Sequence, residues 1–152
     1  MASSFDYRAQ LITHLVAHAK NSIGCQLIEN NSNGEQPDFP FITYAIISPF
    51  IPVHFDDRGE ELFECVLSLT IHDDSALDAL NIAAKYRKSF LTEDGITFFK
   101  NNSIVVVSAR PSSSRDNFIS IDYERLAGFD LRLRLRDNFV DESGDVIEKI
   151  EF

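Results

Sequence analysis

The chain has 152 residues, of which 44% are hydrophobic and 25% charged; this is the composition of one globular domain, not of a disordered segment. A formal net charge of -10 and a pI of about 4.7 exclude a basic nucleic-acid clamp, which needs surplus Lys and Arg on one face. The start, Met-Ala-Ser-Ser-Phe-Asp, lacks a signal-peptide pattern, and no apolar run nears the roughly 20 residues that span a bilayer. With only Cys25 and Cys65 present, a reduced, cytoplasmic setting is expected.

In chain order, Ser3 or Ser4 caps a first helix expected to run to about Lys20, with Asp6 in its first turn. Phe5, Ile12, Leu15, Val16 and Ala19 form its apolar stripe. Asn30–Asp38, with Gly34 and Pro37, reads as a loop. Phe41–Ile47 is a strand apolar on both faces, so it is expected to be covered on both sides or to meet another subunit. Ser48-Pro49-Phe50-Ile51-Pro52 stops it. Val53–Leu62 then joins two strands as an acidic, projecting connection.

The stretch from Phe63 to Leu91 carries the strongest pattern. Phe63, Cys65, Leu67, Leu69 and Ile71 alternate onto one strand face; Glu64, Ser68, Thr70 and His72 take the other, with Val66 an apolar exception. Asp73-Asp74 ends the strand. Ser75 is placed as an N-cap with Asp78 three residues on. The helix that follows has Leu77, Leu80, Ala83, Ala84, Phe90 and Leu91 on one side.

Further on, Ile96–Phe99 and Ile104–Val107 read as strands joined by a Lys100-Asn101-Asn102-Ser103 hairpin turn. Arg110–Ser114 reads as a loop, and Phe118, Ile119 and Ile121 as an extended run. After Gly128, Phe129, Leu131, Leu133 and Leu135 face one way and Asp130, Arg132, Arg134 and Arg136 the other. Asp141–Asp145 is an acidic turn, and Val146–Phe152 a short terminal strand. The sum is an α+β fold over residues 1–152: a mainly antiparallel sheet with two helices packed against it.

Candidate chemistry is sparse. His14 and His18 stand i, i+4, but no Glu follows the first His and no third ligand is evident, so both are expected to be solvated surface residues. Asp56, Asp57, Glu60 and Glu61 match no calcium loop and read as a solvated loop suited to reaching a neighbouring protein. Ser112-Ser113-Ser114 lacks the glycines of a nucleophile elbow. Cys65 and His72 fall on opposite strand faces, and Cys65 reads as a core residue. No cofactor or metal site is expected, and no enzymatic activity. The sharpest charge pattern is the row Arg132, Arg134, Arg136, with guanidinium groups about 7 Å apart along one face. Such a row suits forked contacts to carboxylates, for example Glu64 or the 56–61 acids of another copy. The candidate interface is therefore Asp56, Asp57, Glu60, Glu61, Glu64, Asp130, Arg132, Arg134 and Arg136.

Several stretches taken together resemble the tail terminator, or neck terminator, proteins of tailed bacteriophages: Pro40–Tyr44, Ser48-Pro49, Phe63–Asp73 leading into Ser75–Leu91, Glu124–Leu131 with its Arg125-Leu-Ala-Gly-Phe-Asp-Leu131 core, and Val146–Glu151. The resemblance implies a structural virion protein assembled in the bacterial cytoplasm. It implies a homo-oligomeric ring, commonly a hexamer, at the head–tail junction, with the tail tube protein and the head connector as partners and DNA passing unread through its lumen. The competing reading is a small cytoplasmic ligand-binding or regulatory α+β domain, in which the Phe-rich interior hides a pocket.

Overall fold

One mixed sheet organises the described part of the chain. The computed structural model describes residues 5–30, 36–53, 62–116 and 124–137. The elements are a π-helical turn at Arg8–Ile12, α1 (Thr13–Ile23), β1 (Gln26–Glu29), β2 (Phe41–Pro52), β3 (Leu62–Asp73), α2 (Ala76–Leu91), α3 (Glu93–Asn101), β4 (Val105–Ala109), β5 (Ser113–Ser114) and β6 (Arg125–Arg136). The strands lie in the order β1-β2-β3-β6-β4, with β5 also pairing with β6, and among the described residues all pairings are antiparallel except β1 with β2, which run parallel.

The β3–β6 pair is the spine, in unbroken register from Leu62↔Arg136 to Asp73↔Arg125. Its alternation is as expected: Phe63, Cys65, Leu67, Leu69 and Ile71 are sealed from solvent on one face, with Phe129, Leu131, Leu133 and Leu135 beside them. Each such side chain contributes roughly 1.5–3 kcal/mol on burial. Gly128 permits the close pairing, because a Cβ there would collide with the Leu69 backbone carbonyl. The α2 helix lies over this face, and its Ser75 cap accepts from the Asp78 N–H as the sequence suggests.

Several expectations are corrected. Ile96–Phe99 lies inside α3, so the described residues hold three α-helices rather than the two expected. Thr92 Oγ1 accepts from the Gly95 N–H at 3.1 Å, with Glu93 and Asp94 in the first turn. The Lys100–Ser103 stretch ends that helix, with Ser103 at φ 64, instead of turning a hairpin. Local β-propensity is overridden by Phe99, which reaches the core from a helix. The polar-edged strand β1 was not foreseen. Four residues carry too little periodicity to be seen.

The first helix begins as a π-turn, where Asp6 Oδ1 accepts from the N–H groups of Arg8 and Ala9. It runs to Ile23 rather than Lys20 and closes on Gly24 in the left-handed conformation. Val16 is exposed and His18 is buried, so the apolar stripe is rotated from the expected one. On α2 the inward face is Ala79, Ala83, Tyr86 and Phe90, while Leu77 is 72% exposed and Ala84 and Leu91 also face out. The strand that was expected to stop at Ser48 continues to Pro52, with register irregularities at Ile46/Ser48 and Ser48/Ile51. Both prolines are tolerated there because β1 pairs only with Phe41–Tyr44, which among the described residues leaves the rest of the outer edge of β2 unpaired. Ser113 and Ser114, expected in a loop, form β5. The extended run at 118–121, the turn at 141–145 and the strand at 146–152 lie outside the described residues.

Candidate interaction surface

On the opposite face of β3 and β6 lie polar side chains, with no helical layer over them among the described residues. Three clusters cross it. At one end Glu64, only 7% exposed, receives Arg132 Nη1 at 2.7 Å on Oε1 and Arg134 Nη2 at 2.6 Å on Oε2. These hydrogen bonds, Arg134 first and Arg132 second, hold its carboxyl below the usual carboxylate range against the opposing effect of burial. In the middle Arg115 donates to Ser68 Oγ, to Thr70 Oγ1 and to Asp130 Oδ1, the last at 3.0 Å. Beside it Asp116 receives Arg125 at 2.8 Å and the Leu126 N–H at 2.8 Å, which lowers its pKa. At the far end His72 bridges Thr43 Oγ1 (2.8 Å) and Glu124 Oε2 (2.9 Å), and its ring stacks on Phe41 at 4.5 Å.

Arg132, Arg134 and Glu64 thus meet within one chain, and Asp130 is held by Arg115. Arg136 sits at the last position of β6, opposite Leu62. Asp56, Asp57, Glu60 and Glu61 lie outside the described residues. Sequence reasoning missed Arg115, Asp116, Glu124 and Arg125. Arg115 and Asp116 follow a serine run with no periodicity, so only the tertiary pairing of β5 with β6 brings them across the face.

Exposed apolar residues lie on the helices, Val16, Leu77, Leu91 and Ile96 among them, and also on both sheet edges. Ile47 (55%), Phe50 and Val53 lie along or just past β2, and Val105 (51%) and Val107 along β4. Each of these strands has an edge that is unpaired, over part or all of its length, among the described residues. Open edges with apolar side chains suit pairing with another chain.

Reaction chemistry has no comparable footing. The Cys65 thiol is fully buried, and that burial pushes its pKa up to about 11. Contrary to expectation, His18 is 6% exposed. It packs against Phe90 at 4.5 Å and Phe99 at 4.9 Å, and burial lowers its pKa. It lines an open cleft of about 340 Å³ with Asn21, Ser22, Ser89 and Thr92. Among the described residues no three His, Cys, Asp or Glu side chains form a metal-binding group, and no helix is long and apolar enough to cross a membrane.

Fold and surface together define an α+β protein with one sheet face packed with helices and the other carrying a network of ion pairs. Residues 9–152 match the family model described as phage neck terminator protein. The chain belongs to that family, a structural rather than catalytic class and a component of the phage particle that contacts other head or tail proteins. No curated protein matches the sequence significantly.

Proposed function

We propose that this chain forms a closed homo-oligomeric ring, a hexamer, at the phage head–tail junction. There it caps the tail tube and joins it to the head connector. The family match over residues 9–152 carries the reading, and the open edges of β2 and β4 give it a physical basis. Termination needs only a ring with two unlike faces. One face fits the end of the tube, and the other does not repeat the tube subunit's binding edge, so head-to-tail growth stops. DNA crosses the lumen without sequence readout, in keeping with an acidic chain that does not neutralise phosphates. The particle is assembled in the bacterial cytoplasm.

In this reading Glu64, Asp130, Arg132, Arg134 and Arg136, with the 56–61 acids, belong to the contact surface. The in-chain ion pairs fix the guanidinium groups of Arg132 and Arg134, each 41% exposed, so a partner meets them already oriented. Light scattering coupled to gel filtration, with negative-stain images, tests the proposal. Closed rings are expected from the protein alone or together with tube protein, and a strict monomer in both conditions overturns it.

A further inference from the structure

Where the last turn of α2 meets the first turn of α3, the cleft of about 340 Å³ that His18 lines is built largely of groups that accept hydrogen bonds. Gly95 brings the two helices this close, because a Cβ there would collide with the Ser89 carbonyl. Ser22 Oγ donates to the His18 carbonyl at 2.7 Å, Ser89 Oγ to that of Tyr86, and Thr92 Oγ1 to that of Ser89 at 3.1 Å. All three hydroxyls line the cleft, and each has committed its one hydrogen to the backbone. What they have left to offer is lone pairs.

The rest of the lining has the same bias. A ring N–H of His18 goes to the Ser89 carbonyl, and among the described residues nothing donates to its Nδ1. Burial keeps this imidazole neutral at pH 7. Asp94 brings a full negative charge, and among the described residues no Lys or Arg lines the cleft. Ser89 and Thr92 also stand at the C-terminal, negative end of α2. The half-buried Phe98 ring, 6.0 Å from that of His18, adds a flat π face. The first turn of α3 by itself would suit an anion. However, Thr92 Oγ1 already takes the Gly95 N–H, and Glu93 and Asp94 occupy that turn and repel one.

We infer that this cleft binds an alkylguanidinium group, its planar cation lying on the Phe98 ring and its N–H groups shared between the Asp94 carboxylate and the Ser22 and Ser89 hydroxyl oxygens. Acceptors spread along a cleft with an aromatic wall suit the flat five-donor fork of a guanidinium better than the point charge of an ammonium. An uncharged group of the same shape forgoes the attraction of Asp94 and of the π face. Two sources carry the same chemistry: a free small cation, and an arginine side chain presented by a partner protein. The site is complete within one copy of the chain, so the inference does not rest on the ring.

Isothermal titration calorimetry of the full-length protein with agmatine, a free alkylguanidinium, tests the site. Saturable binding at millimolar concentration or below is expected, with butylurea, an uncharged counterpart, binding at least tenfold more weakly. Asp94→Asn is expected to weaken agmatine about fivefold. Glu93→Gln removes the same charge from the same turn but outside the cleft, and should leave the affinity unchanged. Both residues are exposed, so both variants are expected to fold. Acetyl-Gly-Arg-Gly-amide separates the sources: its binding assigns the cleft to an arginine side chain of a partner protein, and binding of agmatine alone assigns it to a free cation. No saturable heat from either ligand, butylurea binding as tightly as agmatine, or equal weakening by the two variants overturns the inference.

Discussion

The two faces of the β3–β6 pair share one backbone register but follow different physics. On the covered face, Leu67, Leu69, Leu131 and Leu133 are wholly buried, and stability comes from apolar area and close packing. On the open face, Arg115, Asp130, Arg132 and Arg134 remain partly wet, and the nearly buried Glu64 holds the last two. Half-exposed pairs such as Arg115–Asp130 add little to stability. What they add is geometry, a fixed pattern of donors and acceptors on a rigid sheet. The comparison teaches that the covered face maintains the fold, while the open face and its edges are the surfaces that the proposed ring would use.

Three tests, using four substitutions, would break or sharpen that contrast, from the largest effect to the smallest. Leu69→Ala on the covered face should cost about 3 kcal/mol in urea unfolding, whereas Thr70→Ala, its neighbour on the open face, should cost under about 1 kcal/mol. Equal costs would erase the distinction. Gly128→Ala drives a methyl group into the Leu69 carbonyl and should cost about 2 kcal/mol; no measurable loss would mean that the two strands separate freely. Glu64→Gln removes the charge that Arg132 and Arg134 share and should cost about 1–2 kcal/mol at pH 7. Because the folded Glu64 carboxyl titrates below its unfolded value, its contribution is present above the unfolded value of about 4.3 and is lost as the pH falls through the folded one. Wild type and variant should therefore converge in acid unfolding once the pH has fallen through the folded value, and a gap that persists at the acid end would contradict the assignment.

His18 supplies a pH dependence from the helical side. Its folded pKa lies below the ordinary histidine value because burial among Phe90 and Phe99 disfavours the cation. The unfolded chain takes up the proton first, so stability is full above about pH 6.5 and declines as the pH falls below it. His18→Phe should flatten thermal stability between pH 7 and 5. An unchanged slope would assign it to other groups.

The sequence by itself determined the β3 and β6 faces, the Ser75 cap and the α2 span. Strict period-two alternation and a capping residue are local signals, and burial on one side leaves the register no alternative. It also determined the family resemblance, which the match over residues 9–152 bears out. Tertiary structure alone decided that Ile96–Phe99 is helical, that His18 turns inward, and that Arg115 and Asp116 cross the sheet to Asp130 and Arg125. These outcomes depend on which apolar side chain wins a place in a shared core and on which remote strands lie side by side, and such competition between distant segments leaves no periodicity in either of them.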